Sequence, residues 1–583
     1  MSQERKIMSQ NRIALKPYLE QIKEFCLPLS KEELTGVVVG LAKDVSTSER
    51  VGFLEKIKSV LPGRGPSEIP ETPRIDEVLN EIQALRESME ERAESIEDGS
   101  YWDDPDVWEE SGYDDEDPDY VSDEQMEDIA AFFAEAESFF MDGWLEDARQ
   151  VYASLFDLVD YIERVTYFSS PEGLDIREAR AIHSRCVFET VESSGRLAAF
   201  VESMAVNASS PYAEKTLYDE KYPLLQEVMD AREGRMEGIE AFLPEWKALL
   251  SRNETAARPA FLLLEAVHLT DGIDGVSKLA RQWRNRQPRG YLFWLELLTK
   301  ENKQPEIIRI CREGLDALEN GTFRERVAEF LIDAANEQKD RGLLLFGKRE
   351  RFCSIGSDRN LLELVAEAAR QNLRDEEIAE ILKFFEKGGT ADEKRILYTK
   401  VLLMAGKLED AVSEAKNERG LGWSYGKGGV VFGAVLRSLC GSSGKTPTID
   451  KLLRDYANKI DAYSGRISIE NGKTPTFFEE ITKGLQQRKD IYSQAAECLS
   501  WAEKIGNSRI DGIVSNKHRG AYNRAAQILG ALAETYIAMG NEKKALQVLS
   551  HYYHEKYNRF SAFRREVKSV VAGSAVLHRC GFL

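Results

Sequence analysis

A chain of 583 residues that is 42% hydrophobic, 31% charged and 9% aromatic has the apolar content for a sizeable core and the length for several domains or one extended repeat array. Its formal net charge of -22 and pI near 5.0 set it against phosphate backbones and anionic lipid, which disfavours a general nucleic-acid or membrane-surface role. The seven cysteines stand singly without a CxxC pair, which fits reduced thiols in a cytoplasm, and no apolar run reaches the roughly 18 residues that span a bilayer.

Residues 1–62 read as a small helical module. Within it SKEELTGVVVGLAK opens at Ser30 with Glu33 three residues on, the spacing of a capping box. Residues 63–96 hold most of a Pro/Gly-rich break, LPGRGPSEIPETP, which begins at Leu61, and then a connecting helix from about Ile75. Residues 97–122 are acidic and lack apolar periodicity, the composition of a flexible linker. Between Glu97 and Asp128 there are 16 acidic residues and no Lys or Arg, so this stretch carries most of the charge imbalance. Its Trp102 and Trp108 are unusual in a solvated spacer and stand as binding candidates, with a docking peptide and a nucleic-acid mimic as the alternatives to a linker.

From about residue 123 the pattern is helix, short polar turn, helix, in a first half over 123–390 and a second over 391–583. Three places share one local grammar: Gly143 is followed by Ala148, Gly406 by Ala411 and Gly540 by Ala545. A helix ends on such a glycine because the residue after the last turn takes a left-handed backbone, and the alanine then lets the two helices cross closely. With Phe139 and Tyr152 in the first copy, and Leu532, Ala533 and Tyr536 in the third, these hairpins resemble tetratricopeptide (TPR) repeats. The terminal proline of that pattern is missing and the three copies are far apart. The expected fold is therefore all-α: TPR-like hairpins stacked as an α-solenoid, behind a small helical N-terminal module and an acidic linker.

A second likeness concerns NKHRGAYNRAAQILGALAETYIAMGNEKKALQVLSHYYHEKYNRFSAFRREV and the acidic lead-in to SDEQMEDIAAFFAEAESFFMDGWLEDARQVYASLFDLV, with GWSYGKGGVVFGAVLRSL as a weaker echo. These segments resemble the helical region of prokaryotic SWIM zinc-finger proteins. The finger itself needs CxC and CxH ligand pairs, and this chain has neither. The resemblance implies the helical scaffold alone and carries no metal ligand to any residue here.

Motifs that carry chemistry are sparse. CGSSGKTPT at Cys440–Thr448 lacks the G-x4-GK-[ST] spacing of a P-loop, and GKTPT recurs at Gly472–Thr476; both read as loops in which Thr caps a helix and Pro opens it. His551 and His554 lie on one helical face without a third ligand, and Cys186 near His183 reads as a buried thiol. No nucleophile elbow, cofactor fingerprint or metal motif is present, so neither catalysis nor a cofactor is expected. The stretch RQWRNRQPRGYLFW places Arg281, Trp283, Arg284, Arg286 and Arg289 among aromatics, a composition that suits either base stacking or a protein-binding groove.

The resulting expectation is a cytoplasmic, non-catalytic scaffold or adaptor that binds protein partners through a helical-repeat groove, with the acidic stretch as a tether. One alternative is a nucleic-acid-associated protein that uses residues 281–294 and the basic C-terminal end. The other is an enzyme with an unrecognised helical active site.

Overall fold

The computed structural model describes residues 15–44, 57, 75–103, 119–166, 168, 170–171, 174–208, 221–232, 234–388, 395–416, 421, 427–441, 446–458, 475–487 and 495–582. Among the described residues every regular element is a helix and none is a strand. The chain divides into two compact units, Met1–Leu297 and Leu298–Leu583. The boundary expected at 390/391 thus lies inside the second unit.

The first unit contains α1 (Leu15–Cys26), α2 (Lys31–Asp44), α3 (Ile75–Asp98), α4 (Asp123–Met141), α5 (Leu145–Val165), α6 (Ile176–Thr190), α7 (Ser193–Ser203), α8 (Leu225–Asp230), α9 (Ile239–Leu250) and α10 (Ala257–Trp283), with α11 (Arg289–Lys300) ending in the second unit. On α3 the residues Val78, Ile82, Leu85 and Met89 fall on one helical stripe and are buried. They close on Ile129 and Phe133 of α4 and on Tyr152 and Phe156 of α5 in one core. Burial of each such side chain contributes roughly 1.5–3 kcal/mol. The acidic stretch therefore leaves and re-enters the same core. Arg92 of α3 holds both of its ends, donating to the Tyr101 hydroxyl at 3.2 Å and to the Asp119 carbonyl at 3.0 Å. A second cluster joins α6, α7 and α9, where Phe188, Phe200 and Phe242 meet edge to face with centroids 5.1–5.6 Å apart.

The second unit continues with α12 (Gln304–Ala317), α13 (Thr322–Gln338), α14 (Arg341–Ser354), α15 (Asp358–Arg370), α16 (Arg374–Gly388), α17 (Arg395–Met404), α18 (Leu408–Ala415), α19 (Lys427–Leu439), α20 (Pro447–Ala457), α21 (Phe477–Gln486), α22 (Ala495–Val514), α23 (Tyr522–Ala538), α24 (Glu542–Ser550), α25 (Ser561–Gly573) and α26 (Ala575–Arg579). From α12 to α19 each helix packs on the next in sequence. Further on, α23 becomes the hub: it is buried along nearly its whole length and packs against α20, α22, α24, α25 and α26.

The three glycine turns have one geometry. Gly143, Gly406 and Gly540 take φ of 88°, 72° and 78°. In each, the next residue's N–H reaches back five residues, Trp144 to Phe139, Lys407 to Leu402 and Asn541 to Tyr536, at 2.8–2.9 Å. Ala148, Ala411 and Ala545 are fully buried where the second helix crosses the first.

The same turn occurs without glycine. Asn302, Lys339 and Asn372 have φ of 55–58°, and Lys303, Asp340 and Leu373 make the same backward bond at 2.8–3.0 Å. With Gly406, these turns recur at intervals of 37, 33 and 34 residues, close to the 34-residue period of TPR hairpins. In the second unit the Gly406 copy is thus preceded by hairpins whose turn residue is not glycine.

Candidate functional site

Successive hairpins of the second unit are tied by charged groups set half inside the protein. Arg324 of α13 donates to the Leu315 carbonyl of α12 at 3.0 Å and pairs with Glu350 of α14. On α14, Arg351 pairs with Glu363 of α15, and Arg349 grips Glu377 of α16 through two bonds of 2.7 and 2.5 Å. Asn360 of α15 donates to Glu325 of α13 at 2.8 Å. Asp358, at the start of α15, accepts from Lys400 of α17 at 2.9 Å. A buried ion pair that is well bonded adds little net stability, but losing one partner strands the other charge, so such pairs fix register.

This ladder ends where α21 lies on α17. Phe477, Glu480, Ile481, Gly484 and Leu485 are buried on one stripe of α21. The helix is started by a capping box between Thr476 and Glu479. Beneath it, the Lys400 ammonium sits 4.0 Å from the centroid of the Phe477 ring. Burial pulls the Lys400 pKa down while Asp358 opposes the shift. Glu480, with no exposed surface, accepts from Arg374 Nε at 2.6 Å and from Lys483 at 2.7 Å. Arg374 also donates to the backbone carbonyls of Glu480 and Met404 at 3.1 and 3.3 Å. At Gly484 the two backbones are so close that a Cβ would come within 2.3 Å of the Met404 carbonyl oxygen. The seat therefore joins an apolar stripe, a clamped carboxylate and a glycine contact.

The helix opened by the first GKTPT has its N-terminus filled by the chain itself. Glu534 of α23 accepts from the N–H groups of Thr448 and Ile449 at 3.1–3.2 Å, from the Thr448 hydroxyl at 2.7 Å and from the Ser574 hydroxyl at 2.6 Å. Pro447 stands at the first position of α20, as the sequence suggests. An anion arriving at this helix start would meet a fully buried carboxylate. Residues 442–445 lie outside the described residues.

The Arg/aromatic stretch is dispersed by packing. Trp283 is 1% exposed and its indole N–H donates to Glu254 at 2.9 Å; Arg286 pairs with the same carboxylate at 2.5 Å. Arg289 is 5% exposed and donates to Gln287, which itself holds the carbonyls of Glu254 and Thr255. Arg281 lies over the buried Trp294 ring at 4.7 Å, while Arg284 is exposed with φ of 48°. Trp102 belongs to the turn Ser100–Asp103, but its side chain and the whole of Trp108 lie outside the described residues. Glu254, which draws Trp283 and Arg286 together, carries no motif and was not singled out in the sequence.

His551 and His554 sit in a π-helical turn, His551–Lys556, where His551 pairs with Glu555 at 3.0 Å and His554 faces the Phe582 ring. The wider turn of a π-helix carries them away from a common face. Among the described residues no group of three or more His, Cys, Asp and Glu is arranged to hold a metal ion. Burial pushes the Cys186 thiol up to about 12 and holds His183 down at about 3, so the two do not form an ionised pair near neutrality. In the basic C-terminal region Lys556 is paired with Asp511, and Arg564 lies over the Tyr553 ring at 4.4 Å. No helix among the described residues is long and apolar enough to cross a membrane.

No known protein-family model matches the chain, and no curated protein sequence matches it either.

Proposed function

We propose that the chain is a non-catalytic scaffold that holds protein partners on the hairpin array of its second unit. The observation that supports this most is the succession of turns at Asn302, Lys339, Asn372 and Gly406, with each helix from α12 to α19 packed on its sequence neighbour. Hairpins stacked at a near-regular interval form a solenoid with an extended face, and such faces bind peptides or folded proteins. The charged ladder from Arg324 to Lys400 supplies the register that a rigid face needs. The TPR-like and SWIM-like resemblances agree with a helical body of this kind. In this reading the acidic stretch is a tether whose charge favours encounter with basic surfaces.

Affinity capture from native lysate, with and without residues 104–118, tests the proposal. The scaffold reading expects the same proteins to be captured reproducibly, with the deletion slowing capture rather than abolishing it. Failure to enrich any protein over a control chain would remove it. Trp283 and Arg289, candidates in both the protein-binding and the nucleic-acid reading, are buried.

A further inference from the structure

We infer that the outer side of α24, α25 and α26 is a docking surface for a short acidic segment of a partner protein. Its residues lie outside the hairpin succession from α12 to α19, so the surface goes beyond the scaffold reading above.

Charge here runs against that of the rest of the chain. Residues 515–583 hold eleven Lys and Arg against four Asp and Glu, a surplus of seven, which leaves -29 on the other 514 residues. Of the four acids, Glu534 is fully buried beneath Thr448 and Ser574, and Glu555 is paired with His551. All three helices pack on the hub helix α23, so their exposed residues face away from it. The residues after α26 tie the layer together. The Phe582 ring lies 5.5 Å from that of Tyr553, over which Arg564 is set, and Glu542 and Arg579 both act on the Cys580 thiol. Lys543, Lys544, Arg559, Arg565, Lys568 and Arg579 are exposed on this layer. Arg565 and Lys568 stand one turn apart on α25, and the Glu566 carboxylate is 3.9 Å from Arg565, beyond hydrogen-bond distance. Cations held on packed helices lose less freedom on binding than those of a flexible tail.

What the surface takes follows from its extent and its composition. Every Phe and Tyr from 515 to 582 is buried or half-buried, so none of these rings is offered for the base stacking that single-stranded nucleic acid uses. The helix α25 has 13 residues and is roughly 20 Å long. Duplex DNA carries about 12 phosphate charges over that length and continues past it. Beyond the patch, the acidic remainder of the chain repels such a polyanion. An extended peptide spans the same 20 Å with about six residues. A run of about six acidic residues therefore matches the surplus of charge without overrunning it.

The test titrates the full chain, at physiological salt, with two fluorescent probes: a hexaglutamate peptide and a short DNA duplex. The peptide should bind saturably and at least tenfold more tightly than the duplex. The double variants Lys543→Glu, Lys544→Glu and Arg565→Glu, Lys568→Glu should each weaken the peptide at least tenfold while leaving the melting temperature unchanged, because all four side chains are exposed. Lys383→Glu, Lys387→Glu on α16 changes the net charge by the same amount and should leave peptide binding within twofold. The inference is overturned if the peptide does not saturate, if the duplex binds more tightly, if both surface variants keep full affinity, or if the α16 variant weakens binding as much as they do. Absence of any captured partner with peptide binding intact would strike the scaffold reading and leave this surface standing.

Discussion

The carboxylate of Glu534 accepts both the backbone N–H and the hydroxyl of Thr448, 86 residues earlier in the chain. The same carboxylate takes the Ile449 N–H and the Ser574 hydroxyl, and Ser574 caps α26. One side chain on the hub helix thus anchors the starts of two others. Replacing it with alanine strands several buried donors, and should cost about 3–5 kcal/mol of stability in the second unit. Glu534→Gln keeps an acceptor and should cost less. Denaturant titration of both variants checks this; equal stability of Glu534→Ala and the native chain would contradict it.

The Arg349–Glu377 pair is expected to fix register more than to stabilise. Arg349→Met leaves the nearly inaccessible Glu377 carboxylate without its bidentate partner, and should destabilise by about 3 kcal/mol. The double variant Arg349→Met, Glu377→Leu should recover most of that loss. A double variant as unstable as the single one would show that the pair itself carries the energy.

Glu265 of α10 gives the first unit a pH dependence. It accepts from the Leu225 N–H at the start of α8 at 3.1 Å, with Arg258 and Glu227 the charged groups facing it. Burial raises its carboxyl to about 7, and Arg258 only partly opposes that. The folded protein therefore holds this proton up to about pH 7, whereas the unfolded chain releases it near 4.5. The contribution is present in full below pH 4.5 and is lost as pH rises through 7, about 3 kcal/mol in all. Glu265→Gln mimics the protonated acid. Its melting temperature should match the native chain at pH 5 and exceed it at pH 8, and an unchanged difference between the two pH values would refute the assignment.

Turns that lack glycine store strain. Lys339 and Asn372 hold a left-handed backbone that disfavours a β-carbon, so Lys339→Gly should stabilise by about 1 kcal/mol and Asn372→Gly by somewhat less. Gly406→Ala, at φ of 72°, should cost about 1 kcal/mol. Thermal unfolding of the three variants checks the signs.

These turns also show what could be read in advance. Gly143, Gly406 and Gly540 were legible because glycine is the residue that takes positive φ without a steric cost. Asn302 and Asn372 were ambiguous, since asparagine also suits caps and ordinary turns, and Lys339 carries no local signal at all. Its conformation is imposed by the helices packed on either side. The interval would have found them: a search 34 residues before Gly406 lands on Asn372, and a further step of that size falls beside Lys339. The Arg281–Arg289 stretch was unreadable for another reason. Arginines among aromatics suit an exposed stacking surface and an internal brace equally well, and the residue that decides, Glu254, lies 29 positions before Trp283. Distance hides Glu534 in the same way. The acidic stretch reads as a linker by composition, and only the pairing of Arg92 with Tyr101 and Asp119 shows that both its ends return to one core.

The most direct test of the scaffold proposal is cross-linking mass spectrometry on complexes captured by the full chain from native lysate. The account predicts reproducible protein partners whose cross-links concentrate on residues 298–416, where the hairpins recur. Reproducible partners cross-linked only outside that segment, or no reproducible partner at all, would contradict it.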